Sequence, residues 1–203
     1  MNPNKLLSRA VTMLHTEEYS CVLCDDDRIL TSKKTGIAPL LSLLDGGEDL
    51  RGMAAADKIV GKAAAFLLLL GGVRAVYGEV MSRKARELLE HEGVLVRCGT
   101  LVDAIRNRTD TDICPMERTV LALNDPADAP KVPALLHATL ERLKQGQAYA
   151  GDSVGMGLPH PFRVSGRRCR RTGLYAVGSS CTGGDMSPPY GSFVWLVICP
   201  AIC

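Results

Sequence analysis

Two short stretches bring acids, amines and a thiol together at spacings that can support chemistry. The first is the run Ala56-Asp-Lys-Ile-Val-Gly-Lys-Ala-Ala-Ala65. Read as the start of a helix, it places Lys58 and Lys62 four residues apart on one face. Like charges at that spacing cost roughly 0.2–0.5 kcal/mol unless an anion lies between them. The free N–H groups and dipole of a helix N-terminus favour such an anion. Gly61 has no side chain and lets a ligand or a backbone come close. Asp57 is then the residue to orient a group or move a proton. The bland alternative leaves Asp57 complementing the helix dipole, both lysines solvated and Gly61 easing packing.

The second stretch is Cys114-Pro-Met-Glu117. Pro115 suits the first position of a helix, which puts Cys114 at the N-cap and Glu117 at the third position. A thiolate is favoured at a helix N-terminus, and Glu117 can reach back to the cap N–H as in a capping box. The chemical reading is a nucleophilic or redox-sensitive cysteine with a carboxylate at hand. The alternative is an ordinary helix start with a buried thiol. Ser82 suits the N-cap of a further helix that Arg83 opens.

Other patterns carry less. The first stretch is not a nucleoside-triphosphatase phosphate loop, because that motif needs Gly at Ala56 and Ser or Thr at Ala63. Cys21-Val-Leu-Cys24 has redox or zinc-knuckle spacing, but residues three apart in a strand point to opposite faces, so core filling is expected. Asp25-Asp26-Asp27 reads as a hydrophilic turn. His15, His91, His137 and His160 are scattered singly, with no second ligand at metal spacing.

The elements that must position these residues follow from periodicity. Residues 4–15 and 36–44 repeat apolar side chains at helical spacing, and residues 19–24 and 28–32 read as a hairpin around the acidic turn. Residues 55–70 are taken as one long helix, apolar all round from residue 63 to residue 70 and ended by Gly71 and Gly72. A strand over 74–80, a helix over 83–92 capped by Ser82, and a strand over 94–98 come next. A short helix over 101–106, a polar loop over 107–112, and helices over 114–123 and 132–143 complete this part. Helix and strand alternating with short joins give an α/β domain over residues 1–146. Residues 147–203 form a Gly-, Pro- and Cys-rich extension without sustained period, expected to be poorly ordered. It holds Cys169, Cys181, Cys199 and Cys203, and a basic cluster at Arg167, Arg168, Arg170 and Arg171.

Composition bounds the function. A hydrophobic share of 46% fills a core, and a net charge of +2 gives no case for nucleic acid. No apolar run approaches the roughly 20 residues of a membrane helix. The expected compartment is the cytoplasm, with reduced cysteines.

The ten-residue run from Ala56, Gly71-Gly72-Val73 and Cys114-Pro-Met-Glu117 together resemble an uncharacterised bacterial domain-of-unknown-function family grouped with the cytidine-deaminase-like fold. The resemblance spans roughly residues 5–143. It implies a three-layer α/β/α sandwich with a mixed sheet, the hairpin strands coming first. Zinc deaminases of that fold carry His-x-Glu or Cys-x-Glu at one helix and Pro-Cys-x-x-Cys at the next. The corresponding positions here, residues 57–59 and 81–85, hold neither set, so zinc is not expected. What the resemblance leaves is a pocket at two helix N-termini, lined by Asp57, Lys58, Lys62, Ser82 and Arg83, for a small anionic, nucleotide-like molecule. The competing expectation is a non-catalytic domain whose apolar faces support self-association into a homo-oligomer.

Overall fold

The computed structural model describes residues 2–146. The extension over residues 147–203, with its cysteines and basic cluster, lies outside the described residues.

The helix expected over residues 55–70 is two elements. Ala54–Val60 is a strand, β3, and only Lys62–Leu70 is helical, α3, with Gly61 between them in extended conformation. β3 is internal to a five-stranded sheet. On one side it pairs antiparallel with β1 (Cys21–Cys24), and on the other parallel with β4 (Ala75–Ser82). A strand covered on both faces reads as an unbroken apolar run, and periodicity alone cannot separate it from a buried helix. Gly61 therefore ends a strand and caps a helix, and Lys58 and Lys62 do not share a helical face.

The remaining strands complete a mixed sheet. β2 (Ile29–Ser32) pairs antiparallel with β1, and β5 (Leu95–Val102) pairs parallel with β4, giving the order β2-β1-β3-β4-β5. The turn of the hairpin is held by Asp25, whose Oδ1 accepts the N–H groups of Asp27 and Arg28. β5 runs four residues past its expected end, because Leu101 and Val102 pair with Met81 and Ser82. This pairing replaces the helix expected over 101–106.

Helices cover both faces. α1 (Pro3–Thr16) buries Leu6, Leu7, Ala10 and Leu14 against Val22, Cys24, Ala54, Ala56 and Ala75. α2 (Ala38–Asp45), α3, α4 (Arg83–His91) and α6 (Val132–Lys144) share the larger core on the other side with Cys21, Ala55 and Val76. Cys21 and Cys24 thus fall in different cores on opposite faces, as strand geometry requires. α5 is a single turn-and-a-half, Pro115–Thr119, shorter than expected. None of the helices among the described residues is long and apolar enough to cross a membrane.

Alternation along the central strands inverts near their carboxyl ends. Ala55 and Val60, five residues apart, lie in the same core, and so do Val76 and Met81. A regular strand would send each pair to opposite faces. At the break, Asp57 Oδ1 accepts the N–H of Ile59 at 2.9 Å, a local bond that competes with the sheet ladder. This irregular end of the sheet is where the residues of the two motifs meet.

Candidate functional site

The site is built at the carboxyl end of the parallel strands, where such sheets commonly take ligands. β3 delivers Gly61 and the first turn of α3. β4 delivers Ser82, whose Oγ accepts the Ala85 N–H at 3.2 Å and caps α4. Glu117, on α5, crosses to this point with only 4% exposure. Its Oε2 accepts the Lys62 N–H at 2.6 Å, and the Ala63 N–H and the Ser82 hydroxyl also donate to the carboxylate. Burial pushes the Glu117 carboxyl above its ordinary range, opposed by these donors and by the Lys62 charge. One internal carboxylate thus satisfies the orphan donors of α3 and ties them to the cap of α4.

Gly61 makes that approach possible. A Cβ there would run into Glu117 Oε2 and would sit 3.0 Å from Ile105 Cγ1. The close approach inferred for Gly61 is that of an internal side chain. The capping box expected at Cys114 does not form. Cys114 is the N-cap by position but makes no side-chain cap bond, its N–H donates to the Ile105 carbonyl at 2.9 Å, and Glu117 faces α3 instead.

The Lys62 side chain points away from Glu117's acceptor role into a second setting. Its Nζ donates to the Leu121 carbonyl at 2.9 Å and to Asn124 Oδ1 at 3.1 Å, and the residue is 3% exposed. Desolvation lowers its pKa; the Glu117 charge raises it, and that of Lys84 lowers it further. Lys62 borders a cavity of about 280 Å³ together with Lys84, Glu87, Leu88, His91 and Asn124.

The other expected site residues are distributed around this centre. Asp57 is 8% exposed and lies directly across the β1–β3 ladder from Cys21, whose thiol bonds its carboxylate. Burial raises its pKa to about 7, offset in part by the Ile59 N–H and then by Cys21. The same burial, with the Asp57 charge next, raises the Cys21 thiol well above its ordinary value. Lys58 is exposed, and its N–H donates to the Ser20 carbonyl. Arg83 pairs on the surface with Asp103 at 2.8 Å. Cys114 borders a different cleft, of about 430 Å³, with Gly36, Asn107, Met116 and Leu140.

The fold therefore gathers Gly61, Lys62, Ser82 and Glu117, gives Asp57 to Cys21, and leaves Lys58 and Arg83 on the surface. Sequence reasoning missed Asn124, Lys84 and His91 as neighbours of Lys62. A backbone carbonyl such as that of Leu121 leaves no trace in sequence, whatever its role. The two positions at which the deaminase resemblance would put zinc ligands do not fit the metal. No group of three His, Cys, Asp or Glu side chains able to hold one occurs among the described residues.

Fold and site define an α/β domain with a mixed five-stranded sheet in which an internal carboxylate closes the N-terminus of α3. The chain belongs to the TM1506 family, a domain of unknown function (DUF1893), whose family model matches residues 9–133. It is similar in structure to a DUF1893 family protein, TM1506, from Thermotoga maritima. That similarity has a TM-score of 0.60 and 25% sequence identity, and covers 66% of this chain and 89% of that one. No curated protein matches the sequence.

Proposed function

We propose that this domain is a deaminase-like scaffold without the zinc motifs that binds a small anionic, nucleotide-like molecule in the cavity bordered by Lys62, Lys84, His91 and Asn124. The observation that carries the reading is the Lys62 ammonium, on a residue 3% exposed, at a cavity that a second lysine also borders. Two amines at one concavity raise the local affinity for carboxylate or phosphate, although Glu87, on the same wall, takes one bond of Lys84 at 3.1 Å. Asn124 and His91 add directional hydrogen bonds. Asp57, Cys114 and Glu117 do not border that cavity: Asp57 faces Cys21, Cys114 borders the other cleft, and Glu117 fixes the first turn of α3 from which Lys62 projects. The compartment proposed is the cytoplasm, where thiols stay reduced.

A specific observation favours a second reading, a non-catalytic structural or self-associating domain. Glu117 already holds the α3 N–H groups that an external anion would use. Titrating the protein calorimetrically with inorganic phosphate, nucleotides and sugar phosphates separates the two. A ligand at a hundred times its dissociation constant adds about 2.7 kcal/mol of stability, and Lys84→Ala, an exposed change, should weaken binding without unfolding. Silence from every compound, with a dimer in solution, favours the second reading.

A further inference from the structure

We infer that Lys62 is an imine-forming residue, its Nζ condensing with small aldehydes or keto acids that carry a carboxylate or phosphate. The inference rests on the anion reading of the same cavity and adds a covalent step to it.

The hydrogen bonds of Lys62 carry the argument. An ammonium has three N–H donors and a neutral amine has two with one lone pair. Lys62 Nζ has two protein acceptors, the Leu121 carbonyl and Asn124 Oδ1. Loss of one proton therefore leaves both bonds intact and sets the lone pair in the remaining tetrahedral direction. Burial, the largest influence, favours that loss and lowers the pKa of Lys62; the Glu117 charge opposes it and the Lys84 charge adds to it. A desolvated lysine beside another cation is a known route to an amine nucleophile. Lys84, on α4, borders the same cavity and supplies charge for the substrate's anionic group, shared with Glu87 at 3.1 Å on the same wall.

The step balances without a further reagent. The Nζ lone pair forms a bond to the carbonyl carbon, the carbon–oxygen π pair moves to oxygen, and that oxygen takes up, through water, the proton that the Lys62 ammonium released. Loss of water from the carbinolamine gives a protonated imine with one N–H. That hydrogen stays with the Leu121 carbonyl, and Asn124, at the cavity wall, turns to solvent.

The test uses the full chain, glyoxylate as the probe and cyanoborohydride to trap the imine, with peptide mapping of carboxymethylated lysines. Lys62 should be labelled ahead of exposed lysines such as Lys58, and its labelling should persist to lower pH than theirs. Lys84→Gln removes both the anion partner and the like charge, and should slow labelling at Lys62 by roughly tenfold. Labelling that follows exposure, with Lys62 among the last, overturns the inference. Phosphate or nucleotide binding retained without a Lys62 adduct sinks the covalent step alone. Loss of both removes the anion reading as well.

Discussion

The Glu117 carboxylate accepts the backbone N–H of Lys62 at 2.6 Å across 55 residues of sequence. It thereby closes α3 with a side chain from another helix, and the bond shares its carboxylate with the Ser82 hydroxyl. Glu117→Ala would leave two buried N–H groups and a hydroxyl without their acceptor. A loss of about 3 kcal/mol is expected, read from the midpoint of urea unfolding. Glu117→Gln keeps one acceptor oxygen and should lose less than half of that. No loss in Glu117→Gln would mean that the carboxylate charge and second oxygen contribute nothing. An equal loss in both variants would mean that one neutral acceptor of the same shape cannot replace the carboxylate.

Gly61→Ala tests the same contact from the other side. The added methyl meets Glu117 Oε2 and Ile105, and the carboxylate can retreat only by giving up its bonds to the Lys62 and Ala63 N–H groups. Overpacking of this kind costs about 1–3 kcal/mol. Combining Gly61→Ala with Glu117→Ala should cost less than the sum of the two, since the smaller side chain vacates the space. Strict additivity in a double-mutant cycle would contradict the contact.

Asp57 sets a pH dependence of defined sign. Its folded-state pKa is raised to about 7 from 3.8, so the native state keeps a proton that the unfolded chain has already released. The group is most favourable to the fold below about pH 4, and this stability is lost as pH rises through that range to about 7. The buried Glu117, shifted in the same direction, adds to the slope. Asp57→Asn should flatten the fall in stability between these limits and gain on the order of 2 kcal/mol at pH 8. An unchanged pH profile in Asp57→Asn would show that Asp57 ionises at its ordinary value.

Ser82→Ala removes an N-cap and a donor to Glu117 together. The cap alone is worth about 1 kcal/mol, and the lost donor should push the Glu117 pKa higher still. Amide exchange should quicken in the first turn of α4, at Ala85 in particular. Protection unchanged at Ala85 would argue against the cap.

A chain ended after Gly146 should unfold cooperatively with an unchanged midpoint, because the family match ends at residue 133. A truncated chain that fails to fold would overturn the boundary.

Local sequence sufficed where a signal has only one structural meaning. The apolar spacing of α1, α2 and α6, the Asp25 turn between β1 and β2, and Ser82 ahead of α4 each specify their element through nearest neighbours. Cys21 and Cys24 could be assigned to opposite faces on strand geometry alone. The tertiary structure decided the rest. Residues 54–60 are a strand because β1 and β4 take up their backbone groups on both sides, and those partners lie far away in sequence. Glu117 looked like the partner of its own helix start, yet α3 offered more unsatisfied N–H groups within reach. Sequence spacing puts Lys62 beside Lys58 on one helical face, and instead the Leu121 carbonyl and Asn124 Oδ1 take its ammonium. Propensity and period are properties of a segment, whereas the satisfaction of a buried donor, acceptor or charge depends on what the fold brings beside it.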